Sequence, residues 1–258
     1  MAIELINQSV FLHIPKTGGT WVDRTLYDLG LVKEAFGNRH SNYERTVNHE
    51  RYRSAGEHLR RAVVRRIKRQ FGLHHQTPVM RFCFVRNPLT WYESWWRYMK
   101  GKDWKHWGDE NNPWNWHPNA VLNGLGSDDF NTFVANVLSK RPGYVTELYF
   151  SFANAQIDFV GRMENLATDF RLALSQSGLE IDEQQVAGRS KQNESAGNKE
   201  PIVWDPDLRR STILYELPSL VQFGYLSSEL AQELSLDPVR GKHKALSSQP
   251  IDAKHLVT

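Results

Sequence analysis

His13-Ile14-Pro15-Lys16-Thr17-Gly18-Gly19-Thr20-Trp21 is the run whose reading decides the fold. Upstream of it, residues 9–14 form a short apolar stretch ended by Pro15, the pattern of a buried parallel strand. Downstream, Trp21, Val22, Thr25, Leu26 and Leu29 recur at helical spacing, and Gly30 supplies a stop. Strand, glycine loop and helix follow one another directly. Glycines after a strand let backbone N–H groups approach an anion, and the next helix adds its partial positive N-terminus. Lys16 contributes a point charge, while Thr17 and Thr20 contribute hydroxyl donors. In the nucleotide-kinase loop, lysine and a Mg²⁺-holding hydroxyl follow the glycines. Here Lys16 precedes Gly18 and Gly19, which favours a phosphate-bearing donor handled without a metal.

The same alternation continues outward. Residues 79–85 read as a second strand, ended by Asn87-Pro88, and residues 89–100 as a helix. Ser127 or Asp128 can cap a helix running to about residue 139. Residues 157–161 read as a third strand, followed by a helix over 164–176 that stops at Gly178. Asp205-Pro206 signals a helix over 208–217. A further return strand is expected between the first helix and His40. Strands alternating with helices predict an α/β fold with a P-loop-like central sheet, mostly parallel and covered by helices on both faces. One domain is expected over residues 1–236. Residues 188–201 read as an exposed loop and residues 237–258 as a tail, rich in Ser, Lys and His, that can be flexible or serve as an arm.

The bulk numbers agree with one large domain: 258 residues, 40% hydrophobic, 24% charged, net charge +3. So small a net charge does not call for a nucleic-acid partner. The lone Cys83 cannot form an internal disulfide and reads as a small core residue. The apolar stretch 10–14 is far short of a membrane span and lacks the flanks of a signal peptide. A cytoplasmic protein without a membrane partner is expected. The ten histidines show neither an HExxH pattern nor close Cys/His spacing, so no metal site is expected.

The run from Pro15 to Trp21 resembles the 5′-phosphosulfate loop of the PAPS-dependent sulfotransferases, in the PKTGGT form of the carbohydrate sulfotransferases and their soluble bacterial relatives. The resemblance implies that Lys16 contacts the transferring sulfuryl group and the bridging oxygen. It also implies that Thr17, Gly18, Gly19, Thr20 and Trp21 line the 5′-phosphate. A second match is Phe84-Val85-Arg86-Asn87-Pro88 with Ser94. An arginine at a strand end and a serine on the next helix can converge on one phosphate, and the family's 3′-phosphate site has this spacing. Asp158 to Leu166 resembles a further segment of the group, in which Glu164 and Asn165 read as scaffold. Gln192-Asn193-Glu194-Ser195, with Lys199, resembles a loop that closes over the nucleotide, which makes Ser195 and Lys199 candidate contacts. Phe223-Gly224-Tyr225 matches a C-terminal packing element. The implied donor is PAPS (3′-phosphoadenosine-5′-phosphosulfate), the product PAP, and the acceptor a hydroxyl, a glycan or another small molecule.

Transfer to a hydroxyl calls for a general base. His40, at a place where relatives carry a basic-His pair, is the first candidate; His74 and His75 are the next, and His13 reads as a core histidine. Seven of the nine tryptophans lie between Trp91 and Trp116. Trp91, Trp95 and Trp96 have helical spacing and read as core. Trp104, Trp107, Trp114 and Trp116 either stack on a substrate ring or fold their loop into a satellite core. Residues 51–69 hold eight Lys/Arg against one acid, Glu57, as either a solvated helix face or a basic rim for an anionic substrate. Two rival readings stay open at this point: a nucleotide-dependent kinase, and a non-catalytic anion or nucleic-acid binding module.

Overall fold

The computed structural model describes residues 2–37, 40–42, 44–45, 80–109, 111–112, 115–187 and 201–235. The basic stretch 51–69, His74, His75, Trp114, Ser195, Lys199 and the tail 237–258 lie outside them.

Five strands form one sheet: β1 Ala2–Leu5, β2 Val10–Leu12, β3 Val32–Phe36, β4 Arg81–Val85 and β5 Phe159–Arg162, in the order β3-β1-β2-β4-β5. Strands β2, β4 and β5 run parallel, with Leu12 beside Cys83 and Cys83 beside Val160. Strand β1 is antiparallel to both β2 and β3, so the sheet is mostly rather than wholly parallel. The cause is local: the turn after Leu5 returns the chain at Ser9, and Leu5 N–H donates to Ser9 C=O at 2.8 Å, too short a connection for a parallel crossover. Strand β1 carried no separate signal in the sequence. It is only four residues long, Ala2-Ile3-Glu4-Leu5.

Alternation along the strands sends side chains to two faces. Leu12, Cys83 and Val85 pack on one side with α2 (Pro88–Lys100), α3 (Phe130–Lys140) and α4 (Tyr144–Phe152). Phe11, Phe82 and Phe84 pack on the other with α1 (Gly19–Asp28) and α5 (Leu166–Gln176). Helices therefore cover both faces. Buried Cys83 is part of the core, and burial pushes its thiol up to about 12. Among the described residues no helix is long and apolar enough to cross a membrane.

The element ends show which local signals decided them. The cap of α3 is Asp129, accepting from Thr132 N–H, rather than Ser127 or Asp128. After the short α6 (Glu183–Ala187), Asp205 caps α7 (Pro206–Tyr215) as expected, accepting from the N–H groups of Asp207 and Leu208. The first turn of the expected 164–176 helix is a 3₁₀ turn, Met163–Asn165, and α5 proper begins at Leu166. Helix α4 has no side-chain cap of its own and starts from Gly143. The buried Glu216 carboxylate, just before α8 (Leu217–Gln222), supplies the missing acceptor from elsewhere in the chain. It accepts from Val145 N–H, Thr146 N–H, Thr146 Oγ1 and Tyr92 Oη.

Candidate functional site

The carboxyl ends of β2 and β4 lie side by side, so the loop after β2 and Arg86 after β4 open on the same edge of the sheet. In open α/β sheets ligands bind at this edge.

The loop is built so that its carbonyls face protein. His13 C=O accepts from His40 Nδ1 at 3.0 Å, Ile14 C=O from Thr17 Oγ1 at 3.0 Å, and Pro15 C=O from Trp91 Nε1 at 2.9 Å. Three successive acceptor oxygens are thus held by side-chain donors, which keeps negative partial charge away from an approaching anion. Gly18, at φ 84°, immediately precedes helix α1 and offers its first turn no side-chain cap. A side chain at Gly18 would meet Leu166 at 2.6 Å, and one at Gly19 would overlap the His13 ring. Both glycines are therefore set by close approach as well as by the backbone.

Lys16 sits at φ 65°, a left-handed conformation that costs a non-glycine residue about 1 kcal/mol or more. Its ammonium lies 4.3 Å from the centre of the Tyr98 ring, a cation–π contact. Burial, and then the nearby Arg86 charge, lower its pKa to about 8. A lysine so placed gains from any anion that restores favourable company for its charge.

Arg86 is held from several sides. Its Nε donates to Thr90 Oγ1 at 2.9 Å, and Tyr149 Oη donates to its C=O at 2.7 Å. Burial lowers the guanidinium pKa, opposed by Tyr149, Glu164 and Glu93. Asn87 N–H donates to Glu164 Oε1 at 2.9 Å, and Tyr225 Oη to Glu164 Oε2 at 2.7 Å. Glu164, read from the sequence as scaffold, thus braces the Arg86 turn together with Tyr225. Ser94 lies on α2, one helical turn beyond Thr90, and is half-buried.

Thr17 and Trp21 of the loop are buried against the protein. Trp21 is a core residue, edge-on to Phe170 at 5.5 Å, and its N–H donates to Gly18 C=O. It packs the loop against α5. The Thr17 hydroxyl donates inward to Ile14, so Thr17 is not the hydroxyl donor expected from its position. Thr20 stands in the first turn of α1, half-buried.

Histidine is the surprise of the site. His40 meets His13 at 4.6 Å and His117 at 4.8 Å, edge-on to both. A carbonyl only accepts, so the hydrogen bond to His13 C=O places the proton of His40 on Nδ1 and leaves a lone pair on Nε2. Burial, then His13 and His117, hold its pKa well below the usual histidine value, so it is neutral at pH 7. In His117, Nδ1 accepts from Asn119 N–H at 3.1 Å, which puts that proton on Nε2. His13 stands 3.3 Å from the Asp23 carboxylate. The sequence did not single out His117. It follows the Trp-rich loop without a motif, and only the fold carries it to His40. Among the described residues no three His, Cys, Asp or Glu side chains are grouped to hold a metal.

The Trp-rich stretch divides. Trp91, Trp95 and Trp96 are core, as their spacing indicated. Trp107 meets both Tyr98 at 5.7 Å and His117 at 5.9 Å, which brings it into the ring wall around Lys16 and His40. Trp104 packs on Phe133, and Trp116 lies under the Arg45 guanidinium at 4.0 Å.

No family model, no curated protein and no solved structure matches the chain.

Proposed function

We infer that this protein transfers a sulfuryl group from PAPS to an acceptor hydroxyl. The observation that carries the reading is the convergence of two cations, Lys16 and Arg86, on the edge of the sheet where a carbonyl-shielded glycine loop meets an uncapped helix N-terminus. One cation with a loop suits any phosphate. Two, set on neighbouring strand ends, suit a donor with phosphates at both its 5′ and 3′ positions. The P-loop-like character of the sheet belongs to the same proposal.

The chemistry follows from the groups present. The acceptor oxygen attacks sulfur, the bond from sulfur to the bridging oxygen breaks, and PAP leaves with that electron pair. His40 Nε2 takes the acceptor's proton, a task suited to a neutral imidazole whose other nitrogen is fixed on a carbonyl. Lys16 stands where charge grows on the bridging oxygen, and the N–H groups of Gly18, Gly19 and Thr20 face the 5′-phosphate. Arg86 and Ser94 hold the 3′-phosphate. The Tyr98–Trp107 wall borders the acceptor, and a carbohydrate hydroxyl is one acceptor it suits. No step calls for a metal.

The test is transfer of ³⁵S from labelled PAPS, in EDTA, to a panel of sugar, phenol and alkanol acceptors. Labelled product should form with at least one class and fall by about 10²–10³-fold in Lys16→Ala, as loss of one preorganised group does. Normal turnover in Lys16→Ala would refute the role given to the loop.

A further inference from the structure

Beside the reaction centre lies a cavity of about 170 Å³ lined by Trp95, Met99, Trp104, His106, Leu122 and Asn123, with Gly124 and Gly126 at its margin. Nothing in the transfer chemistry above uses it. Trp95 joins the two places: it lines the cavity and also stacks on His117 at 6.3 Å, and His117 meets His40. Gly126 is kept small by Trp104, whose ring a side chain there would overlap. The cavity shape is therefore set by close packing, not by slack in the loop.

Part of its polar lining is already engaged. Asn123 Oδ1 accepts from Trp107 N–H at 3.0 Å, and its Nδ2 donates to Gly108 C=O at 3.3 Å. Trp104 Nε1 donates to Asp128 Oδ1 at 3.2 Å. Two lining groups make no hydrogen bond among the described residues: the Trp95 indole N–H, and the His106 ring, which is exposed at the rim. A sugar placed here would bring several hydroxyls against indole, thioether and leucine surface, and each hydroxyl left unpaired costs about 1–3 kcal/mol. An apolar ring meets no such cost. An apolar protein cavity of about 150 Å³ takes up benzene, so the space matches one six-membered aromatic ring.

We propose that this cavity is a subsite for a single apolar ring carried by the acceptor, so that the acceptor joins a hydroxyl for transfer to an aryl or comparably flat apolar group. The acceptor assignment rests on the sulfuryl-transfer reading; the ring site itself does not. Trp95, Trp104, Met99 and Leu122 supply apolar surface, and His106 a polar rim.

Saturation-transfer NMR with 4-fluorobenzyl alcohol on the full chain, without nucleotide, tests the site. Saturation should reach the ring protons, and methyl glucoside at equal concentration should not displace the probe. Met99→Trp, which fills the space, should weaken binding by tenfold or more while PAP still binds. If Met99→Trp does not fold, His106→Trp at the exposed rim provides the block. Absence of saturation in the folded protein, unchanged binding in the filled variant, or displacement by methyl glucoside would each overturn the subsite. A titration with PAP on the same sample separates the two ideas. Ring binding without PAP binding would overturn the acceptor assignment, whereas PAP binding without ring binding would overturn the subsite alone.

Discussion

Lys16 pays for its position twice, in backbone strain at φ 65° and in burial of its charge. Its folded pKa of about 8 lies below the ordinary 10.5, so between these values the unfolded chain binds more protons than the folded one. Stability of the unliganded protein therefore rises with pH across that window. Below pH 8 both states are protonated and the whole cost of the buried charge is present. Lys16→Met should raise unfolding free energy at pH 7 by about 1–3 kcal/mol, with the gain shrinking as pH climbs from 8 towards 10.5. Urea melts at pH 7 and pH 10 measure this. A lower stability at pH 7 would contradict the burial argument. His40 has the same sign in a lower window. Its folded pKa is depressed, so stability falls as pH drops below about 6.5, where the unfolded imidazole takes its proton first. His40→Gln should flatten that acid limb and cut turnover by about 10²–10⁴-fold with little change in PAP affinity. Retained turnover in pH-matched assays would remove His40 as the base.

At the scale of elements, the loop depends on helices that hold it from behind. Trp91, buried within α2, donates to Pro15 C=O, so Trp91→Phe removes that donor and frees a carbonyl to face the anion. PAP affinity should drop by about 3–30-fold although Trp91 touches no ligand, and titration calorimetry reads the change directly. Unchanged affinity would mean that the carbonyls do not need shielding. Helix α4 depends similarly on Glu216. Glu216→Ala should lower unfolding free energy by about 3 kcal/mol or more, since it leaves buried Tyr92 and the first N–H groups of α4 without an acceptor. A urea-melt loss below about 1 kcal/mol would show that water replaces the carboxylate.

Legibility followed locality. The loop, its strand and helix, and the Arg86 turn were readable because each signal lies within a few residues: Pro15 ends a strand, Gly18 and Gly19 open a helix, Asn87-Pro88 starts another. Helix α4 was not readable, because its acceptor, Glu216, is some seventy residues away. The reversed strand β1 was hidden by its length. Trp21 and Thr17 belong to the motif by sequence, yet the fold turns both inward.

For the whole molecule, the sheet makes one prediction that no single residue makes. Parallel β2 and β4 bring Lys16 and Arg86 to one edge, so one ligand should bridge them and a ligand with only one phosphate should not use both. His117 belongs to this scale too, since only the closing of the Trp-rich segment over α2 brings it to His40.

The central claim is tested most directly by calorimetric titration of the protein in EDTA with PAP and with AMP, which lacks the 3′-phosphate. PAP should bind without metal and about 10-fold or more tighter than AMP, and Arg86→Ala should remove most of that difference, the value of a charge-assisted hydrogen bond being about 1.5–3 kcal/mol. Failure of PAP to bind in EDTA, together with binding of ATP only when Mg²⁺ is added, would contradict the account and favour a kinase.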